Sequence, residues 1–373
     1  MNISISGMGV ITCLGNTTEQ IWDALSHNKS GIQEVDLYDV SEARSKMAGQ
    51  IKEPYSKDGY NRMKEFSKIA IYNAIQDAGL TKKEINENKS ILVIGTSLGH
   101  MFQNDSKAVM LDDYVPEVLK ELDLKIPYIS VSTACSSGTD AISMGADFLE
   151  FNEFEIVICG GVDVLDIYKT MGHSSLQTLA PSQCIPFSHM EHGTTLGEGA
   201  AFIVLQDKKH MTHDKYGIQL IGRSNTTDTI SVTNPDINGT GAIRLIQQTC
   251  GETGIESIGY INAHGSGTDT NDKMESNVYK QAFCNTKPCI SSTKGAFGHT
   301  LGATGAIEAV VVILSLLYKE APPNVGCEIP SKEWDGENLV LNQSKKYTGN
   351  GISVTYGFGG TNAALLFQGD KCL

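Results

Sequence analysis

Apolar residues recur along this chain in two rhythms, as short alternating or continuous runs and as longer stretches with one apolar position every three or four residues. The runs Ile3–Ile11, Ile91–Gly95, Ile126–Ser132, Glu155–Cys159, Ala200–Leu205, Ser257–Asn262 and Gly351–Thr355 predict strands. Between them, Gln20–His27, Lys64–Ala78, Thr139–Glu150, Gly241–Glu252 and Asp272–Ala282 predict helices with one apolar and one polar face. Strand and helix alternate throughout. The pattern therefore predicts a layered α/β architecture rather than a bundle or a sandwich.

Two segments look like distant copies of each other. Ile129 to Gly138 and Ile290 to His299 each run from a short strand through Ser and Thr into a turn, and then into a helix rich in small residues. In the second copy Gly302, Ala303, Gly305, Ala306 and Ala309 permit close approach, and Val310 to Leu317 is apolar on every side. Such a helix belongs at the centre of the molecule. The two halves are expected to join near Lys208–Gly217, giving an N-terminal half of residues 1–210 and a C-terminal half of residues 211–373.

At 373 residues the chain can bury a deep core and shelter a site. Its formal charge of −14 argues against a chain built to bind nucleic acid or an anionic membrane, both of which demand a basic surface. Nine cysteines without a Cys-x-x-Cys pair suit a reducing cytoplasm better than a disulfide framework or a structural zinc site. The N-terminus lacks the charged head and apolar core of a signal peptide. The one long apolar run, Ala303 to Leu317, is broken by Glu308 and reads as a buried helix rather than a membrane span.

Candidate chemistry lies in four places. Cys135 sits where a β-rich run meets a helix start, so unpaired backbone N–H groups and the helix dipole are expected to lower its thiol pKa. By itself such a cysteine is more often core filler. His264, in Ala263-His264-Gly265-Ser266-Gly267-Thr268, and His299, after Lys294-Gly295-Ala296-Phe297-Gly298, occupy glycine-rich loops, and either could be an ordinary core histidine. Finally, Tyr356-Gly357-Phe358-Gly359-Gly360-Thr361-Asn362 follows a strand, and its glycines allow N–H groups to be aimed into a cavity. Phosphate binding is the rival reading of that loop, but it lacks a Gly-Lys-Ser/Thr ending.

In this order the motifs resemble the β-ketoacyl-acyl carrier protein synthases of the condensing-enzyme family, in particular the elongating synthases I and II. The resemblance begins at Ser6-Gly7-Met8-Gly9 and continues through Thr133-Ala134-Cys135-Ser136-Ser137-Gly138, Gly160-Gly161-Val162-Asp163 and Gly197-Glu198-Gly199-Ala200, ending at Asn362. It implies a thiolase-like fold of two similar halves in five α-β-α-β-α layers, acting without metal or cofactor. Cys135 would carry the acyl group, with an oxyanion hole from the N–H groups of Cys135 and Phe358. His264 and His299 would assist decarboxylation of a malonyl unit, Lys294 would pair with Glu308, and Phe358 would gate the nucleophile. The implied partners are an acyl carrier protein bearing acyl and malonyl thioesters and a second ketosynthase-fold subunit, in a homodimer or a heterodimer. Leu98, His173, Ser266 and Thr268 are expected around the substrate, and Arg62, Lys64 and Lys68 on the carrier-docking face.

The chain departs from the family pattern in places. Where elongating enzymes carry Arg-Pro-Phe-Asp and then Arg-Asp-Gly-Phe, it reads Ile185-Pro186-Phe187-Ser188 and continues through Glu191 and His192. The stretch from Gly95 to Cys135 is short. His173 stands where a phenylalanine is common. Asn271-Asp272-Lys273-Met274-Glu275 after His264, together with the Pro-Phe-Ser variant, looks more like the discrete ketosynthases of specialised pathways such as aryl polyene assembly. The alternative from another class is a noncatalytic chain-length-factor-like partner subunit, which typically lacks the active cysteine.

Overall fold

Ten strands among the described residues form one continuous sheet in the computed structural model, which describes residues 2–52, 54–100, 110–190, 193–211, 214–334 and 338–369. In chain order they are β1 (Ile3–Ile11), β2 (Ser90–Gly95), β3 (Tyr128–Val131), β4 (Ile156–Asp163), β5 (Gly199–Asp207), β6 (Ile218–Thr227), β7 (Ile258–Asn262), β8 (Cys289–Ser291), β9 (Asn350–Tyr356) and β10 (Thr361–Gly369). They lie side by side as β8-β7-β9-β10-β6-β1-β5-β4-β2-β3. Either side of the β6–β1 contact, the strands of one half follow the same order: third, second, fourth, fifth, first. Directions repeat as well. The inner pairs β2–β3, β2–β4, β7–β8 and β7–β9 are parallel, and β4–β5, β5–β1, β9–β10 and β10–β6 are antiparallel.

The helices repeat with them. They are α1 (Thr18–Ser26), α2 (Gly59–Asp77), α3 (Val115–Leu122), α4 (Ser137–Glu150), α5 (Ile167–Ser175), α6 (Thr240–Cys250), α7 (Asp269–Ala282) and α8 (Thr304–Tyr318). Helices α2 and α3 cover the outer face of one half and α6 and α7 that of the other, while α4 and α8 lie between the two half-sheets and touch each other. This is the five-layer, thiolase-like arrangement. Covered on both faces, β1, β4, β5 and β9 are buried along their whole length; the apolar runs of β4 and β5 reflect this, while β1 and β9 bury small Ser, Thr and Gly residues between their apolar ones.

The central helices meet through small residues. A Cβ added to Gly138 would fall 2.9 Å from the backbone N of Ala306, and one added to Gly305 would collide with the Thr139 hydroxyl. Larger side chains would push the halves apart. Helix α8 is buried from Thr304 through Ser315, so its apolar character belongs to the core of the molecule.

Several elements differ from expectation. Helix α2 starts five residues before Lys64, because the Asp58 side chain caps it by accepting from the Asn61 N–H at 2.9 Å. Strands β6 and β10 and helices α3 and α5 escaped the periodicity argument. β10, Thr-Asn-Ala-Ala-Leu-Leu-Phe-Gln-Gly, is rich in helix-favouring Ala and Leu, and only its two sheet neighbours make it a strand.

Candidate active site

The candidate nucleophile, Cys135, is presented by a strained turn. After β3 the chain passes through Ala134 at φ +55°, a left-handed conformation that costs a residue with a Cβ roughly 1–2 kcal/mol, and this turn places Cys135 just ahead of α4. The backbone N–H of Phe358 bonds to the Cys135 sulfur. Burial nevertheless dominates. It pushes the thiol up to about 11, against the opposing pull of the Phe358 N–H and the nearby Lys294. The expected lowering at a helix start is thus overturned: desolvation of a thiolate outweighs it, and the resting residue is a neutral thiol.

Both histidines are neutral and oriented. Burial, reinforced by Lys294, holds each imidazole well below its ordinary pKa. The Leu301 N–H donates to His299 Nδ1 at 3.1 Å, so that nitrogen carries no proton and Nε2 must. Thr304 Oγ1 adds a contact at 3.0 Å. Lys294 Nζ, which can only donate, lies 3.4 Å from His264 Nδ1 and imposes the same tautomer there. The two rings stand edge to face with centroids 5.3 Å apart. Each offers one Nε2–H donor.

Their loops are held by buried charges. Lys294 Nζ donates to the His264 carbonyl and pairs with Glu308 at 2.8 Å, while burial pushes the Glu308 carboxyl up to about 7 against the pull of Lys294. Glu275 on α7 accepts from the N–H groups of His264 and Gly265 at 3.0 and 2.6 Å, and Asp272 accepts from Gly267 at 3.1 Å. At the end of β4, Asp163 pairs with Lys169 at 2.6 Å and accepts from the Gly302 N–H at 3.0 Å, tying the His299 loop to the opposite half. Sequence reasoning missed Asp163, Asp272 and Glu275 as supports. The available signal was a carboxylate ending a wholly apolar strand, or recurring on an otherwise half-apolar helix, where it must find partners.

Cys135, His264, His299, His173, Ser266, Thr268 and Phe358 line one cavity. Phe358 sits on a turn fixed by the Gly359 N–H donating to the Val232 carbonyl at 2.8 Å, and its ring stacks on that of His173 with centroids 5.8 Å apart. His173 Nδ1 lies 2.9 Å from the Thr178 hydroxyl, and burial lowers its pKa to about 4. Tyr356, which sequence reasoning did not single out, also lines the cavity and packs edge-on against His264. Among the described residues, no group of three or more His, Cys, Asp or Glu side chains is placed to hold a metal ion.

Two expectations fail here. Leu98 lies in the turn after β2, is 41% exposed and does not line the cavity, because the strand ends before it can turn inward. Arg62 cannot sit on a docking face: it is buried and bonds to Glu198, whose carboxylate also accepts from the N–H groups of Ile51 at 2.8 Å and Leu165 at 3.1 Å. Lys64 and Lys68 reach the surface but pair with Glu117 and Glu121 of α3. Glu191 and His192 lie outside the described residues.

Comparison with known families decides the assignment. Residues 1–211 match the N-terminal domain of the β-ketoacyl synthases and residues 219–328 match the C-terminal domain. The chain belongs to the β-ketoacyl synthase family. Among relatives of this β-ketoacyl synthase, the 3-oxoacyl-[acyl-carrier-protein] synthase 2 of Synechocystis is 28% identical across 98% of this chain and 97% of its own. That of Vibrio cholerae is 28% identical across 98% of each. Its fold matches a β-ketoacyl synthase from Burkholderia phymatum with a TM-score of 0.87 at 24% identity, covering 99% of this chain and 100% of the other. It matches the ishigamide ketosynthase/chain length factor with a TM-score of 0.91 at 22% identity, covering 99% of each chain.

Proposed function

We propose that this β-ketoacyl synthase extends a Cys135-bound acyl group by decarboxylative condensation with a carrier-bound malonyl unit. The observation that carries this reading is one cavity holding a buried thiol, a backbone N–H aimed at its sulfur and two neutral imidazole donors. In loading, the Cys135 sulfur attacks the carrier thioester, and its proton leaves with the released carrier thiol. The N–H groups of Cys135 and Phe358 stabilise the tetrahedral oxyanion. The malonyl C–C bond then breaks, carbon dioxide departs, and its bonding electrons form an enolate whose oxygen accepts from Nε2–H of His264 and His299. The enolate carbon attacks the thioester, and collapse expels the Cys135 thiolate, which regains a proton from solvent.

Neutral donors suit this chemistry because their hydrogen bonds strengthen as charge develops on oxygen. Lys294 and Glu308 hold the His264 loop and take no part in bond breaking. We read residues 1–210 and 211–373 as the two functional halves, the first supplying the thiol and the second the enolate donors. A noncatalytic partner-subunit role is less well supported, since the nucleophile and both donors are present and oriented. Intact-mass measurement after incubation with an acyl carrier thioester distinguishes the two, an acyl adduct on Cys135 being the catalytic outcome.

The His299→Ala variant tests the division of labour. Malonyl decarboxylation should fall roughly 100-fold or more, as when an oxyanion donor is lost, while acyl loading measured by mass stays within a few-fold of the parent. Equal loss of both steps in a folded protein would contradict separate roles.

The acyl specificity follows from His173. A neutral imidazole stacked on Phe358 beside the nucleophile favours a chain with a π face or an oxygen over a long saturated one. The parent should load a polyenoyl carrier substrate faster than a saturated one of equal length, and His173→Phe should erase or reverse the order. A parent that prefers the saturated chain, with no change in the variant, would remove this residue from specificity.

A further inference from the structure

Asp140 occupies the first turn of α4, five residues beyond Cys135, and its hydrogen-bond partners belong to two distant parts of the chain. Its Oδ2 accepts from the hydroxyl of Thr133 and, at 2.8 Å, from that of Ser136, the residues bracketing the Ala134–Cys135 turn. Its Oδ1 accepts from Asn225 on β6, in the opposite half. These partners are all neutral side chains. An acid in the first turn of a helix gains from the helix dipole, but that gain needs none of these three contacts.

The network continues past Asp140 to the second oxyanion donor. The Thr133 carbonyl accepts from the Thr361 hydroxyl at 3.2 Å, and the Thr361 carbonyl accepts from the Gly357 N–H at 2.7 Å. Gly357 precedes Phe358, whose own N–H meets the Cys135 sulfur. Thr133 is therefore a strap with one end on Asp140 and the other on the turn that carries the Phe358 donor. The Ala134 turn is left-handed, a conformation that persists only where its surroundings hold it.

We propose that Asp140 is a positioning residue that sets the spacing of the Cys135 and Phe358 N–H groups, and so the strength of the oxyanion hole, through Thr133 and Thr361. The inference rests on the acyl-transfer reading above. It separates two reactions of the same sulfur. Attack on a thioester creates an oxyanion and depends on both donors, whereas alkylation by iodoacetamide displaces iodide at a saturated carbon and creates none.

In Asp140→Asn the amide keeps the size of the side chain but loses the negative charge that strengthens the bonds from Thr133 and Ser136, and it turns an NH2 donor toward the Asn225 amide. The expected result is a fall of about tenfold or more in the rate constant for acyl loading at saturating carrier substrate, with KM within about twofold of the parent and the iodoacetamide rate falling clearly less than loading. Thr133→Val, which removes the same hydroxyl–carboxylate contact from its other partner, should show the same split, and the double variant should be little worse than either single one. Loading at the parental rate in Asp140→Asn overturns the inference while leaving the catalytic reading intact. So does a parallel fall in loading, alkylation and melting temperature, which marks a merely structural role. A parent that alkylates but accepts no acyl group overturns both readings.

Discussion

Replacing Cys135 with alanine is expected to abolish condensation and acyl loading outright while the protein remains folded. Among the described residues, no other side chain lining the cavity carries a thiol, so none there substitutes for the lost sulfur. The fold should survive because the change removes one atom from a residue that is still 8% exposed at a cavity edge, where neighbours need not close a void. Decarboxylation of malonyl-carrier substrate should persist, since His264 and His299 keep partners that do not involve the sulfur. Intact-mass analysis, product chromatography and a circular dichroism spectrum together check these outcomes. Chain extension by the alanine variant would sink the assignment of the nucleophile.

The second large effect concerns stability. Arg62→Ala should cost about 3–5 kcal/mol, the usual penalty for breaking a buried ion pair on one side only. The guanidinium donates to Glu198 through Nε at 3.1 Å and through Nη2, and to the carbonyls of Ser56 and Ile51. Its removal leaves the Glu198 carboxylate buried and without a cation. Against a typical total of about 5–15 kcal/mol, such a loss is a large fraction of what holds the domain together. Urea titration should show the midpoint falling, and Arg62→Lys, which keeps a cation beside Glu198, should lose less. A surface docking role predicts the opposite pattern: unchanged stability and a salt-dependent rise in KM for the carrier substrate.

That contrast shows which parts of the molecule are legible in the sequence. The Cys135 turn, the His264 and His299 loops and the Phe358 turn are short contiguous motifs whose glycines and flanking strands announce their geometry, and the structure gathers them into one cavity. What supports them is not contiguous. Arg62 meets Glu198 across 136 positions and Asp163 meets Gly302 across 139, so no local window reveals that Glu198 is paired or that Asp163 ties down the His299 loop. A basic residue on a half-polar helix reads as exposed until a partner from elsewhere in the chain claims it. The thiol pKa failed for a related reason. A helix start is visible in the sequence, whereas the burial that overrides it depends on what packs over Cys135 from the other half.

The contact between Gly138 and Ala306 therefore acts as a machining tolerance. The Cys135 thiol stands at the head of one central helix and His299 just precedes the other, so the width of that contact sets the gap between the proposed nucleophile and this proposed donor. A single extra methyl group there would widen the gap without touching any reacting atom. The seam along which the two halves join is thus the gauge to which the chemistry is built.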